Sequence, residues 1–441
     1  MRIAVTSFAL VRQFASVAVV GNLTVYRDAM ELPHSHDGKK HVPVPTGRYV
    51  VGCTDLMIGP SQEDGCFLRI YYPSQLKDTH ENSSRWASWL PHQKYVEGYT
   101  TVLGIMPFFG KKLISWAFGN SYIPVVVDAE PCTEQRFPVI VFSHGLTACR
   151  TAYSLFCSDI SSHGFIVAAI EHRDGSACMT YTLEKEPNAK GGLVEKWIPY
   201  KPMQFEKDDM PLRQEQLQIR TRECSQTLDL LFKLDEGVEL EHILHSPMNL
   251  GAFKVFIAHR FKRLSPTLKI GKINKQGVMD LSTPVIAGHS FGSATLLRTL
   301  AADKRFKIGL AMDAWMWPLK DEIELAKSIE QPLLFINMEA FQTAPNLKAM
   351  KRFTMDADHT ERRVVTLKGS VHKNQVDLPF LLPLYLRRLT GSHSAIDPVL
   401  AMELNNRISM LYLRKHLGHP VDEEHSKLVE KHTEWFYEGI P

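Results

Sequence analysis

The sequence contains few cysteines, no long apolar run and almost no excess of either charge. Its seven cysteines are an odd number without any CxxC pair, which argues against a disulfide framework and against a zinc site. No apolar run reaches the roughly 18 residues of a spanning helix. Lysines and arginines number 51 against 48 aspartates and glutamates, and the net charge of +3 gives no electrostatic reason to expect nucleic-acid binding.

Residues 1–42 differ from the rest of the chain and carry no acidic residue before Asp28. Two largely apolar runs, 3–11 and 14–20, are separated at Arg12. This interruption disfavours a secretory signal, which needs an unbroken apolar region, while the arginines and serines fit a mitochondrial transit peptide loosely. We predict a variable N-terminal extension, with a transit peptide or a secretory signal as the alternatives.

Short apolar runs alternate with helical patterns in the rest of the chain. Most of these runs are apolar at nearly every position, which is typical of strands buried on both faces. Apolar residues at spacings of three and four, as over 217–231, indicate helices between them. We therefore predict an α/β fold with a mostly parallel central sheet flanked by helices. The runs are 67–72, 139–142, 165–170, 285–287, 308–312, 333–336 and 364–367.

The domain organisation follows from length and composition. Apolar residues make up 44% and charged residues 22%, which excludes a disordered or fibrous chain. At roughly 150 residues per domain, the length suggests about three domains. Neither a repeat nor a low-complexity linker divides the chain, however. We predict one large α/β domain over residues 43–441, with insertions near 185–212 and 234–274.

The strongest local signal is the sequence Gly-His-Ser-Phe-Gly at residues 288–292. It follows a predicted strand and opens a helical stretch, which is the context of a nucleophile elbow. Ser290 would occupy the tight turn, and Gly288 and Gly292 would flank it because larger side chains would clash there. The helix N-terminus offers positive partial charge to a developing oxyanion. The alternative is a chance match in a loop, which this context disfavours.

A serine hydroxyl needs a histidine base and a carboxylate that orients the base. In this strand–elbow–helix arrangement the chain order is serine, acid and histidine. Asp313 directly ends the next predicted strand, whereas Asp303 lies in a connection and is interpreted as a surface residue. His372 follows the last predicted strand, whereas His359 precedes it. The alternatives are a turn residue at Asp313 and a surface histidine at His372.

Two backbone amides are candidates for binding the oxyanion. One belongs to Phe291, the residue after the candidate nucleophile, and the other to Leu146 in a loop after an earlier strand. Leu146 follows the pair His144-Gly145, and such a pair recurs in oxyanion loops. The alternative is that this pair only makes a tight turn.

These candidates belong to a set of short segments spread along the chain, namely 142–146, 162–169, 171–174, 288–292, 313–316, 369–372 and 414–418. Together the segments resemble the platelet-activating factor acetylhydrolases of the plasma and intracellular type II kind. The resemblance runs from about Pro43 to the last residues and is far more specific than the serine motif alone. It implies an α/β-hydrolase fold and a calcium-independent serine esterase of the phospholipase A2 type.

The resemblance also implies roles for individual residues. It implies Ser290 as the nucleophile, Asp313 as the orienting acid and His372 as the base. It implies Leu146 and Phe291 as the oxyanion donors. These five positions are the same ones that chain order and context select.

The chain departs from the family pattern at two positions near these residues. The family usually has glycine where this chain has Thr147, and a β-branched residue there is strained if the position needs a positive φ. The family also usually has glycine at the position of Ser293, where a small serine should preserve the helix packing.

The resemblance implies hydrolysis of the sn-2 acetyl, short or oxidised acyl ester of platelet-activating factor and related phospholipids. We expect no cofactor and no metal, because the histidine activates the hydroxyl and no calcium-loop motif is present. One alternative is a general carboxylesterase or lipase of the same fold. The other is a catalytically inactive hydrolase-fold binding protein, although such proteins usually lose a member of the triad.

A lipid substrate implies contact with a membrane or lipoprotein surface, and residues 103–118 are the candidate segment. Phe108, Phe109 and Trp116 combine there with two lysines, as in interfacial segments. The alternative is a helix buried against the sheet. We expect a cytoplasmic location with peripheral membrane contact, and secretion is the alternative.

Overall fold

The computed structural model describes residues 35–59, 63, 65–185, 193–202, 209–238, 240, 244, 253, 277–354 and 360–440. The first 34 residues of the predicted extension lie outside these ranges, as does most of the predicted insertion at 234–274. Within the described ranges the sheet already includes Ser35, which lies in the segment that the sequence assigns to the extension.

Strands and helices alternate along the described chain. The strands are β1 Ser35–His36, β2 Lys39–His41, β3 Val51–Ile58, β4 Cys66–Pro73, β5 Trp86–Ser88, β6 Ser121–Val127, β7 Phe137–Ser143, β8 Ile166–Ile170, β9 Met179–Lys185, β10 Leu193–Pro199, β11 Met279–His289, β12 Ile308–Met312, β13 Leu333–Met338, β14 Arg362–Leu367 and β15 Phe436–Glu438. The helices are α1 Gln93–Val102, α2 Pro107–Phe118, α3 Ser154–Ser162, α4 Met210–Glu236, α5 Phe291–Ala302, α6 Ala344–Lys351, α7 Leu378–Leu381, α8 Leu384–Leu389, α9 Pro398–His416 and α10 Glu423–Lys431.

One large sheet organises the molecule, with the strand order β1-β2-β6-β3-β4-β8-β7-β11-β12-β13-β14-β15. The central strands from β8 to β14 are parallel, and β4 and β15 add antiparallel neighbours at either side. The prediction of a mostly parallel sheet is confirmed. Because parallel strands end at one edge, the carboxyl ends of β7, β11, β12 and β14 meet there, which is where α/β proteins build their sites.

Both faces of the sheet are covered by helices, which explains the continuous apolar strands. Along β7, Ile140 packs into the core that includes α3 and α9, while Val141 packs into the core that includes α4 and α5. Alternate residues of one strand therefore enter opposite cores. The predicted helix over 217–231 lies within α4, and its apolar residues Leu217 and Leu228 are fully buried.

Two local features shape the strands nearest the candidate site. The pairing of β11 with β7 is interrupted between Asp280 and Val285, and Pro284, which has no amide hydrogen to donate, lies in that interruption. The predicted insertion at 185–212 contributes β10, which forms an antiparallel two-stranded sheet with β9.

Candidate active site

Ser290 lies at the sharp turn between β11 and α5, at the carboxyl edge of the sheet. Its φ is +57°, in the left-handed region that L-residues rarely adopt, and its amide donates to the carbonyl of Met312 over 2.9 Å. A Cβ atom on Gly288 would overlap the carbonyl of Gly292, and one on Gly292 would overlap the carbonyl of Ser143. Only glycine therefore fits at these two predicted positions.

Asp313 and His372 meet at the same edge, from the ends of β12 and β14. The Nδ1 atom of His372 lies 2.5 Å from Oδ2 of the fully buried Asp313. The other carboxylate oxygen, Oδ1, accepts hydrogen bonds from the Met338 amide over 2.8 Å and from Nε2 of Gln342 over 2.6 Å. These donors fix the carboxylate so that one oxygen faces the imidazole.

Desolvation sets the charge state of this pair. Burial lowers the pKa of His372, and the adjacent Lys373 ammonium lowers it further. Burial raises the pKa of Asp313, while the hydrogen bonds from the Met338 amide and Gln342 oppose that rise. A histidine with a lowered pKa is neutral at physiological pH, and the neutral imidazole is the form that accepts a proton.

Two aromatic rings hold the imidazole of His372 from either side. Phe341 stacks on it with ring centroids 3.8 Å apart, and the ring of His289 lies 4.4 Å away. His289 in turn hydrogen-bonds through Nδ1 to the Tyr153 hydroxyl over 2.8 Å. Sequence reasoning missed Phe341, Tyr153 and Gln342. The one signal in the sequence was His289 inside the serine motif, which indicated a second ring close to the candidate nucleophile.

The loop that carries Leu146 is held by hydrogen bonds from the residues on either side of Leu146. The Gly145 amide donates to the Tyr153 hydroxyl over 3.0 Å, and the Thr147 amide donates to the carbonyl of Ser176 over 2.7 Å. Within the described part of the chain, the amide of Leu146 itself has no acceptor. Thr147 has a φ of +64°, so this position does need the left-handed conformation, and threonine is strained there.

A hydrogen-bonded serine–histidine–carboxylate arrangement lies at the end of β7, where this loop begins. The Ser143 hydroxyl is 2.8 Å from Nε2 of His172, and Nδ1 of His172 is 2.7 Å from the carboxylate of Glu223. All three residues are fully buried, so no substrate reaches this hydroxyl. The arrangement ties the end of β7 to α4 and is a structural network.

One group of residues has the composition of a metal site. Among the described residues, ligand atoms of His289, Asp313 and His372 all lie within 4.8 Å of one another. However, Asp313 and His372 are already joined by their hydrogen bond, and Nδ1 of His289 is bound to Tyr153. The hydrogen bonds are therefore those of an acid–base pair, Asp313 and His372, with the ring of His289 beside it.

The predicted docking residues lie on α2, which packs against α1. Phe108, Phe109 and Trp116 expose 65%, 62% and 60% of their surface, while Ile114 and Phe118 on the opposite side are buried. The helix is therefore not fully buried against the sheet. No helix in the described part of the chain is long and apolar enough to cross a membrane.

Comparisons with known proteins agree with this architecture. The family model of platelet-activating factor acetylhydrolase, isoform II, matches residues 34–434. The chain is 36% identical over 400 residues to a platelet-activating factor acetylhydrolase of Cavia porcellus, covering 91% of this chain and 83% of that one. It is 38% identical to the Bos taurus protein of that name, covering 89% and 81%.

More distant matches bear on the fold. A putative phospholipase A2 of Schizosaccharomyces pombe is 27% identical, with coverage of 86% of this chain and 92% of that one. A ferulic acid esterase from Streptomyces cinnamoneus superposes with a TM-score of 0.52 at 16% identity, covering 86% and 94%. At that identity the esterase shows the fold alone, and the predicted α/β-hydrolase fold is confirmed.

Proposed function

Because the chain belongs to the family of platelet-activating factor acetylhydrolase, isoform II, we propose that it is a serine esterase that hydrolyses the sn-2 acetyl ester of platelet-activating factor. Related phospholipids with short or oxidised sn-2 acyl chains are substrates of the same reaction. The products are a lyso-phospholipid and acetate. The observation that carries this proposal is the 2.5 Å contact of His372 with Asp313 at the edge where Ser290 occupies its strained turn.

In the proposed acylation step, Ser290 Oγ attacks the sn-2 carbonyl carbon while Nε2 of His372 takes the hydroxyl proton. Asp313 holds the Nδ1–H tautomer, which leaves the Nε2 lone pair free to accept that proton. The carbonyl oxygen becomes an oxyanion and accepts hydrogen bonds from the amides of Leu146 and Phe291. The intermediate then collapses, and His372 returns the proton to the departing lyso-lipid oxygen.

In the proposed deacylation step, a water molecule replaces the lyso-lipid. His372 takes a proton from the water, the resulting hydroxide attacks the acetyl carbonyl, and the same two amides bind the second oxyanion. Collapse breaks the bond to Ser290 Oγ, which regains its proton from His372, and acetate leaves. A histidine of lowered pKa supports both steps because it is neutral at the start of each.

The decisive experiment labels the protein with a fluorophosphonate and maps the modified serine. We expect the label on Ser290, and we expect Ser290→Ala to lose both the label and hydrolysis of platelet-activating factor. Ser143→Ala is the matched control, because Ser143 also faces a histidine but is fully buried. Label on Ser143, or acetylhydrolase activity in purified Ser290→Ala protein, would overturn the assignment.

We also propose that α2 docks the enzyme on a phospholipid surface. Three large side chains that are each at least 60% exposed project from one helix, and Lys111 and Lys112 lie between them. Nζ of Lys112 lies 4.5 Å from the centre of the Phe108 ring, so a positive charge accompanies the aromatic surface. Lys111 is paired with Glu97 over 2.8 Å, so Lys112 is the lysine offered to anionic lipid. Aromatic rings that enter the headgroup region beside such a lysine support interfacial binding.

The docking proposal is tested with vesicles of phosphatidylcholine that contain a minor fraction of phosphatidylserine. We expect the variant Phe108→Ser with Phe109→Ser to bind these vesicles about tenfold more weakly or worse, because two rings that would be buried in the lipid surface are lost. Ile323→Ser with Val421→Ser is the matched control, since these side chains are 62% and 70% exposed. Equal binding by both variants would contradict docking through α2.

We further propose a cytoplasmic location. All seven cysteines are unpaired and buried, whereas secreted proteins usually pair their cysteines. Asn82-Ser83-Ser84 is a glycosylation sequon, and its asparagine provides the test after expression in a eukaryotic cell. We expect no mobility change on treatment with peptide N-glycosidase. A shift that Asn82→Gln abolishes would favour the secreted alternative.

A further inference from the structure

We propose that Arg220 is a positioning residue that holds the two amide donors of the oxyanion hole in their relative places. The inference rests on the proposed function, because it assigns Leu146 and Phe291 as those donors. Arg220 lies on α4 and is fully buried, so its guanidinium does not touch substrate. Its effect on the reaction passes through the segments that it contacts.

The first contact is with the loop of Leu146. Nη1 of Arg220 donates to the carbonyl of His144 over 2.7 Å, so the guanidinium fixes the peptide plane that precedes Gly145. The chain separation of 76 residues makes this a tertiary contact. A charged donor on a buried carbonyl is among the stronger hydrogen bonds in proteins.

A second connection reaches the other end of the same loop. Nε of Arg220 donates to Asp174 over 2.9 Å, and Nη2 donates to the Ser176 hydroxyl over 2.5 Å. The carbonyl of Ser176 accepts the Thr147 amide over 2.7 Å. Arg220 therefore braces the residues on both sides of Leu146.

The third contact of Arg220 is with Phe291, the residue that supplies the other oxyanion donor. The guanidinium carbon of Arg220 lies 4.5 Å from the centre of the Phe291 ring, which places a cation over an aromatic face. Phe291 follows the candidate nucleophile and begins α5, so its ring anchors the amide that faces the oxyanion. One guanidinium thus contacts both segments that supply donors. Because an oxyanion hole depends on donor positions within a fraction of an ångström, a shared brace matters for the rate.

The principal variant is Arg220→Lys, which keeps the charge but loses the planar set of donors. We expect kcat to fall about 10- to 100-fold, part of the loss seen when one oxyanion donor is removed, while KM changes little. The acidic limb of the pH profile should stay in place because His372 and Asp313 are not touched. Arg407→Lys is the matched control, since Arg407 is also buried on a helix but is bonded to Thr46 and His163.

A matched pair of substrates distinguishes a defect in the oxyanion hole from a general loss of folded, active enzyme. Wild-type enzyme should cleave an acetyl ester faster than its thionoester analogue, whose sulfur accepts hydrogen bonds poorly. We expect the ester-to-thionoester ratio of kcat to fall in Arg220→Lys and to stay unchanged in Arg407→Lys. A protein that is only less stable loses rate on both substrates equally.

Ser176→Ala is a milder variant that removes one acceptor of Arg220 and keeps every charge. We expect a smaller fall in kcat with a correspondingly smaller fall in the substrate ratio. If Arg220→Lys does not fold, the ratio in Ser176→Ala decides the question. An unchanged ratio in the folded variants overturns the proposal for Arg220, even when wild-type enzyme is active. Wild-type protein that is inactive on both 4-nitrophenyl acetate and platelet-activating factor overturns the proposed function, and this inference with it.

Discussion

Replacing Asp313 with asparagine should disable the base while changing almost no atom positions. The Oδ1 atom of Asp313 accepts two donors, the amide of Met338 and Nε2 of Gln342. An asparagine must therefore keep its carbonyl oxygen at that position, and its NH₂ group must face Nδ1 of His372. Nδ1 can then only accept, so the proton moves to Nε2.

The loss follows from this change of tautomer. In the proposed mechanism Nε2 takes the proton of Ser290, and an Nε2–H group has no lone pair to accept it, so the hydroxyl has no base. Changes of this kind in catalytic triads cost about 10³- to 10⁴-fold in kcat, or about 4–5.5 kcal/mol of transition-state stabilisation. Stability should change much less, because asparagine has nearly the same shape and keeps both hydrogen bonds at Oδ1.

The assay is steady-state hydrolysis of platelet-activating factor, with thermal unfolding measured on the same samples. Asp303→Asn is the matched control, because Asp303 is a second aspartate close in sequence that pairs with Arg305 over 2.7 Å near the surface. We expect this control to keep activity within about twofold, since the carboxylate of Asp303 is bonded to Arg305 and not to Asp313 or His372. If Asp313→Asn stays within tenfold of wild type, or if Asp303→Asn falls equally far, the assignment of the orienting acid is refuted.

Three further predictions test the geometry around the triad. Gly292→Ala should lower the free energy of unfolding by about 1–3 kcal/mol in denaturant titrations, because its Cβ would overlap the Ser143 carbonyl; unchanged stability would contradict the close approach. Thr147→Gly should raise that free energy by about 1 kcal/mol by relieving the strain at φ +64°, and a fall would show that the threonine side chain stabilises the loop. The Lys373 ammonium lowers the pKa of His372, so Lys373→Gln should raise that pKa and move the acidic limb of kcat/KM to higher pH. A limb that stays in place or moves to lower pH would contradict the electrostatic role of this lysine.

Much of the fold was predictable because its causes are local. A strand buried on both faces must be apolar at nearly every position, and the runs 139–142 and 285–287 show this directly. The need for glycine at 288 is local, because a Cβ atom there would overlap the carbonyl of Gly292, whereas the need at 292 comes from the Ser143 carbonyl at the end of the neighbouring strand β7. The fixed chain order of an acid and a histidine after this turn then selected Asp313 and His372, and the structure places their side chains 2.5 Å apart.

The burial of individual side chains could not be predicted from the sequence pattern, because it depends on which helices and strands pack together. The sequence left open whether the segment 103–118 was buried or exposed, since its aromatic residues suit either environment. Packing against α1 decided that Ile114 is buried and Trp116 is exposed. In the same way, nothing in the sequence shows that Ser143 faces a buried histidine, and only the structure shows that contact and the full burial of the hydroxyl.

The sequence by itself determined the class of fold, the nucleophile turn and the candidate triad, because short-range sterics and chain order constrain them. Only the tertiary structure decided what holds these residues in place. Arg220 reaches His144 across 76 residues of chain, and Gln342 reaches Asp313 across 29. Such contacts leave no periodicity or spacing in the sequence, since they arise when separately formed helices and strands pack together.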